Sequence, residues 1–351
     1  MTKSNKNFLI LGHTGIGKSS FINYAVDREV AKTGSGRPVN TKGSWEKHVI
    51  DSPFAKDETL TIFDSWGLES DQAQDWKALV NEKLQADWNE DIICGVIYCF
   101  SWIHRIQDFE LDFLRDVLKT GYNVLIVLTN SDCKDKEAKK DNYYGRLEKE
   151  LKDYAGKYKI VEVCNVNIEK LVGSAKKFGR EEVLSALADF STENLYRLYV
   201  NSLDKIYTEF KAEVEKRIKA ANESSGESWF RPVFIHCIYT PQYKDEQMVY
   251  ESACGALKED FNALKKDIDA KIKRFGAVFK SVYNKPLRLP NWNFWDNIKS
   301  IIFFWSNSSK IEDARQEYIK SLKELLRSVG NNIDELKRHK ERVYFQMVHK
   351  K

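Results

Sequence analysis

Apolar positions in the first half of the chain gather in short runs separated by stretches with a spacing of three and four. Residues 8–11, 60–63, 92–100, 124–128 and 159–163 are strand candidates, and 47–51 is a further one. The run at 92–100 is apolar on both parities, the pattern of a strand buried on both faces. Residues 19–26, 73–88, 109–119, 136–154 and 181–187 read as helices. Strand and helix therefore alternate over residues 1–190. That alternation predicts an α/β domain, doubly wound around a mostly parallel sheet.

Near residue 190 the pattern changes. Tyr199, Leu203, Ile206, Phe210, Val214 and Ile218 fall on one helical stripe. Leu257, Phe261, Leu264, Ile268, Ile272, Phe275 and Phe279 form a second, and Ile311, Ala314, Tyr318, Leu322, Leu325, Val329, Ile333 and Leu336 a third. Each stripe is one apolar face of a long helix. Breaks are expected at 222–226, 286–290 and 330–332, where Gly, Pro and Asn gather. Residues 191–351 thus read as a mainly α-helical second domain. The sequence shows no internal repeat and no low-complexity tract.

Composition changes this picture little. Of the 351 residues, 42% are apolar and 31% charged, ordinary for a globular protein able to bury a core. The formal net charge of +4 does not argue for nucleic acid. The charge is uneven, however: acidic residues outnumber basic ones in 1–190, and the reverse holds in 191–351. The six cysteines form no CxxC pair, and Cys94, Cys99 and Cys164 lie in strand-like runs. Buried free thiols in a reducing compartment follow. Residues 1–7 lead straight into a strand without a secretory leader. No apolar run approaches the roughly 20 residues that span a bilayer. A cytoplasmic location is expected.

The chemistry is concentrated in one segment. Gly12-His13-Thr14-Gly15-Ile16-Gly17-Lys18-Ser19 matches GxxxxGK[ST], with a strand before it and a helix after it. The glycines let the backbone turn tightly and aim N–H groups at phosphate oxygens. The following helix presents its positive end to the same anion. Lys18 is expected on the β- and γ-phosphates of a nucleoside triphosphate, and Ser19 on Mg2+. Ser20 continues the same turn. The His13 side chain is expected to point away from the phosphates.

Two further segments follow central strands. Asp64-Ser65-Trp66-Gly67 has a DxxG pattern: Asp64 would hold Mg2+ through water, and the Gly67 amide would touch the γ-phosphate. Thr129-Asn130-Ser131-Asp132 resembles the guanine-reading [NT]KxD motif. A carboxylate at Asp132 can accept both N1–H and the exocyclic amine of guanine, which adenine cannot offer. Asn130 stands where the motif has lysine.

Together these segments resemble the P-loop GTPases of the translation-factor class, in the neighbourhood of septin-like, AIG1-like and Era-like proteins. The resemblance covers about residues 6–190. Lys18 to Asn23 looks like the group's GKSSxIN, and Gly36-Arg37-Pro38-Val39 like its GRPVT segment. The resemblance implies a switch threonine on Mg2+, for which Thr41 is the candidate, since Asn40 occupies the family position. It also implies a second guanine-facing loop. Asn165, directly after a strand, is preferred over the literal Ser174-Ala175-Lys176 match further on. GTP and GDP would be substrate and product. Lys18, Thr41 and Gly67 would carry the catalytic contacts.

Position 68 is leucine, where many small GTPases carry a water-orienting glutamine. Thr14 stands where Ras-like proteins have a glycine that admits an external arginine. The resemblance therefore implies slow turnover, raised by nucleotide-dependent homodimerisation. Two rivals stay open: a scaffold that binds guanine nucleotide without hydrolysis, and, on the strength of Asn130, an ATPase. Basic residues between Lys271 and Arg288, followed by Trp292, Phe294, Trp295 and the apolar run at 301–305, suit either a helix face with a packed aromatic core or an anionic membrane surface over 271–305. Nucleic acid suits them less.

Overall fold

A computed structural model describes residues 4–33, 45–53, 56–65, 67–68, 73–85, 91–133, 138–165, 168–169, 174–175, 177–223, 246–283 and 311–348. Six strands form one sheet in the order β2-β3-β1-β4-β5-β6. They are β1 (Ser4–Leu11), β2 (Trp45–Asp51), β3 (Glu58–Ser65), β4 (Ile93–Ser101), β5 (Val124–Thr129) and β6 (Tyr158–Glu162). Only β2 runs antiparallel to its neighbour; the other pairings are parallel. Burial follows position in the sheet. Every residue of β4 and β5 is buried, as expected for central strands covered on both faces. The edge strand β2 buries His48 and Ile50 and exposes Val49.

The helices of this part are α1 (Lys18–Val26), α2 (Ala73–Leu84), α3 (Asp108–Lys119) and α4 (Ala138–Glu150). Trp76 of α2 packs edge-on against Phe113 of α3, with ring centroids 4.5 Å apart. The Tyr98 hydroxyl donates to the Glu110 carbonyl at 3.1 Å, satisfying a phenol fully buried in the core. Gly95 on β4 leaves room for the Phe8 ring: a Cβ there would stand 2.3 Å from it. Gly95→Val is therefore expected to destabilise this part by about 2 kcal/mol through overpacking, read as a lower urea midpoint. An unchanged midpoint would refute this packing.

Contacts divide the chain into two compact units, 1–198 with 278–285, and 199–277 with 286–351. The boundary drawn from the sequence at 190 falls inside α5 (Arg180–Glu223), a single helix of 44 residues. The separate helix expected over 181–187 is thus part of the opening turns of a longer one. No Gly or Pro occurs from 180 to 225, so nothing stops propagation. Within the first unit, Asn194 fastens α5 to the sheet. Its Oδ1 accepts from the Asn123 amide at 2.8 Å, and its Nδ2 donates to the carbonyls of Asn123 and Cys94 at 3.1 and 3.2 Å.

The second unit is built from the rest of α5, from α6 (Glu246–Tyr283) as far as residue 277, and from α7 (Ile311–Val348). The Tyr199 hydroxyl donates to Leu336 O, whereas Arg315 donates to Ala221 O. Tyr199 stacks near Phe275, whereas Arg217 pairs with Asp260 at 2.9 Å. Partners descend as α5 ascends, so α5 runs antiparallel to both other helices. Leu203, Phe210, Phe261, Ile268, Leu325 and Val329 are buried on the expected stripes. The break expected at 330–332 does not occur, since α7 runs straight through it. Gly330 serves close approach instead: a Cβ there would lie 3.0 Å from the Tyr207 hydroxyl.

In the basic segment, Lys271 pairs with Asp267 and Glu209, and Lys273 with Asp269. Phe275, Phe279 and Val282 are buried. Residues 284–310, with Trp292, Phe294, Trp295 and the 301–305 run, lie outside the described residues. Among the described residues no helix is long and apolar enough to cross a membrane. Cys94, Cys99 and Cys164 are free and buried. Burial pushes the Cys94 and Cys99 thiols up to about 12, which keeps them protonated and unreactive.

Candidate functional site

The loops that follow β1, β3, β4, β5 and β6 all leave the same edge of the sheet, because these strands are parallel. Ligands of doubly wound folds bind at that carboxyl edge. The 12–19 loop joins β1 to α1 there. Gly12 has φ 138° and its missing Cβ would lie 2.5 Å from the Cys99 carbonyl oxygen, so no other residue fits. Gly17, with φ 92°, is the N-cap of α1. It carries no side-chain cap, and the first turn of α1 contains no acidic residue. The amides and the positive end of α1 are therefore directed at the loop without a carboxylate from the helix's own first turn.

Lys18 is buried and folds back over the loop. Its Nζ donates to Gly12 O at 3.1 Å and His13 O at 3.0 Å. Burial lowers its pKa, while the Asp64 carboxylate and the Cys99 thiol act in the opposite direction. The Ser19 hydroxyl donates to Asp64 Oδ2 at 3.0 Å. These two oxygen ligands come from α1 and the end of β3, and their hard donor chemistry fits Mg2+. Thr41, the third expected ligand, lies outside the described residues together with 36–40.

The DxxG segment is docked against the loop. The Leu68 amide donates to Gly12 O at 3.1 Å, and His13 and Leu68 form a parallel bridge that prolongs the β1–β3 pairing. A Cβ on Gly67 would stand 2.1 Å from Thr14 Oγ1 and 2.3 Å from its Cα. Gly67 is thus a position where any side chain would collide with the backbone of residue 14. Leu68 is fully buried in the core between the sheet, α2 and α3. The His13 ring turns toward α3: its Nδ1 bonds Thr14 O at 2.8 Å, and its centroid lies 6.4 Å from that of Phe109.

The segment Thr129–Cys133 is tied to the phosphate loop by one side chain. Thr129 Oγ1 meets Ile16 O at 2.6 Å and Phe100 O at 3.1 Å. Asn130 adopts φ 54°, and its Nδ2 donates to Ser101 Oγ at 2.8 Å. Ser131 bonds Leu128 O through its hydroxyl and Val163 O through its amide. Asp132 sits half-buried in the 3-10 turn Ser131–Cys133. Asn165, also half-buried, follows Cys164, whose backbone pairs with Phe178. Ser174–Ala175 instead form β8, paired with β7 (Ile168–Glu169) in a small hairpin. Ser20 is half-buried on α1 and Gly15 is exposed at the loop tip.

Sequence reading missed Ser101, at the end of β4. It is buried, accepts from Asn130, and its carbonyl accepts from the Tyr143 hydroxyl at 2.7 Å. No motif marks it; its position one residue past the β4 apolar run was the only signal.

Residues 7–131 match the sequence profile of the family described as 50S ribosome-binding GTPase, a little over a third of the chain. The N-terminal unit is a P-loop GTPase domain. No curated protein sequence matches the chain. Among solved structures, the G domain is similar to Toc33 from Arabidopsis thaliana in complex with Mg2+ and GMPPNP, at 16% identity and a TM-score of 0.39, covering 54% of this chain and 86% of that one. It is similar to the septin GTPase domain from Chlamydomonas reinhardtii, at 14% identity and a TM-score of 0.39, over 56% and 94% of the two chains. Era from Aquifex aeolicus, bound to GDP.AlF4-, gives 10% identity and 0.39 over 57% and 68%. GTP binding is the property this P-loop GTPase domain carries; the helical unit lies outside the matched residues.

Proposed function

We propose that this protein is a cytoplasmic guanine-nucleotide switch that hydrolyses GTP slowly and whose nucleotide state controls the helical unit. The observation that carries the reading is the convergence of Lys18, the Ser19–Asp64 pair and the Asp132 loop at one sheet edge, with Thr129 fastening the last to Ile16. Lys18 would leave the Gly12 and His13 carbonyls for the β- and γ-phosphates. Mg2+, held by Ser19, Asp64 and Thr41, would supply neutralising charge to the phosphate oxygens. Asp132 would select guanine. The buried thiols support a reducing compartment.

Slow turnover is supported by Leu68. Its side chain is in the core and its amide is engaged by Gly12 O, so it offers nothing to orient a water. Thr14 fills the space beside Gly67 that an incoming arginine would need. We therefore infer that a second copy of the chain raises the rate. The link to the helical unit is α5, fastened at Asn194 to the amino ends of β4 and β5 and unbroken to Glu223.

Single-turnover phosphate release across a range of protein concentrations tests this. The expected rate is low and rises with concentration. A fast, concentration-independent rate refutes it. Leu68 also favours the second reading, a non-hydrolysing scaffold; release no faster than in Lys18→Ala, with GTP binding intact, would establish that one.

A further inference from the structure

Glu46 of β2 and Asp64 of β3 are direct cross-strand partners, and His48 lies two residues along β2. All three therefore project from the same face of the sheet. Two carboxylates placed opposite one another repel. The His48 side chain is 6% exposed, and its Nε2 makes no hydrogen bond; the nearest carboxylate oxygen, Glu46 Oε1, is 3.8 Å away. A ring nitrogen removed from water without a partner is itself unfavourable. One ligand atom from each of Glu46, His48 and Asp64 lies within 4.8 Å of the others.

Neighbouring lysines relieve this cluster only in part. Lys47 sits between Glu46 and His48 in sequence but projects to the opposite face, with its ammonium 5.4 Å from the centre of the Phe63 ring. Lys18 acts on Asp64. A cation among the three side chains would offset the carboxylate repulsion and satisfy the imidazole together.

We propose that Glu46, His48 and Asp64 form a binding site for a divalent transition-metal ion. One imidazole nitrogen with two carboxylates suits Mn2+, Fe2+, Co2+ or Zn2+, whereas Mg2+ prefers oxygen donors and retains its waters. The site is distinct in chemistry from the Ser19–Asp64 pair, although Asp64 is common to both. Its occupancy would hold the carboxylate that Ser19 now bonds. The assignment rests on the β2–β3 register and the unpartnered imidazole, and stands whether or not the chain hydrolyses GTP.

Titration of the nucleotide-free full chain with Co2+, in millimolar Mg2+ and with thiols reduced, reads the site through visible d–d absorption. One equivalent is expected to bind without displacement by Mg2+. His48→Gln and Glu46→Gln should each weaken binding at least about tenfold. Circular dichroism checks that each variant is folded; Glu46, at the more exposed position, supplies the readout if His48→Gln is not. Co2+ affinity unaltered by either substitution would overturn the proposal. So would binding that is abolished by Mg2+, or an absorption spectrum dominated by thiolate ligation.

Discussion

Lys18→Ala is expected to weaken GTP binding at least about hundredfold and to bring phosphate release down to background. Hydrogen bonds to charged groups contribute about 1.5–3 kcal/mol each. Two such bonds from Lys18 to phosphate oxygens give about 3 kcal/mol at the low end, which is about two decades in affinity. Nothing else among the described residues can substitute. The first turn of α1 has no other cation, and Nζ already points into the loop at Gly12 O and His13 O. Burial disfavours the ammonium, and Asp64 counters that effect. An arriving triphosphate would add several negative charges and fix the charged form. Lys18→Met keeps the volume and removes the charge, so equal losses in both variants attribute the effect to charge. Titration with a fluorescent GTP analogue measures it. An affinity within threefold of the unaltered chain would refute the role of Lys18.

Why this site was legible in the sequence follows from locality. The phosphate loop is one contiguous segment whose glycines meet demands of their own backbone, so Gly12 and Gly17 can be read without tertiary knowledge. The central strands were equally plain, because burial on both faces removes polar alternation from β4 and β5. What failed was everything set by partners far along the chain. Gly330 was read as a break because isolated glycine disfavours helix; the Tyr207 ring that occupies its missing side chain is more than a hundred residues away. The true length of α5 was hidden by a change in apolar pattern near 190 that reflects new packing partners, not a helix end. Ser101, Asn194 and the Glu46–His48–Asp64 cluster depend on strand register and loop packing. Register is a tertiary property, and a shift of one residue would have turned Glu46 and His48 to the other face.

The Thr129–Ile16 bond also changes what Asp132 should do. That tie fixes the Thr129–Cys133 segment relative to the phosphate loop. Asn130 gives Nδ2 to Ser101 Oγ, which turns it toward the β4 end, so the proposed base recognition falls to Asp132. Asp132→Ala is accordingly expected to lower GTP affinity about hundredfold, since two charge-assisted bonds to guanine disappear. ATP affinity should hardly move, because adenine offers neither N1–H nor an amine at C2, so the preference for GTP over ATP collapses. Inosine triphosphate keeps N1–H but lacks the amine. It should bind the unaltered chain about tenfold more weakly than GTP, and the Asp132→Ala variant no differently from GTP. Competition of the three nucleotides against one labelled GTP analogue resolves all of these ratios. If ATP competes as well as GTP against the unaltered chain, the carboxylate does not read the base and the ATPase reading takes its place. If GTP wins and Asp132→Ala abolishes the preference, guanine selectivity rests on this one half-buried side chain, held in place by bonds that Thr129 and Ser131 make to backbone carbonyls and not by the lysine that the related motif carries.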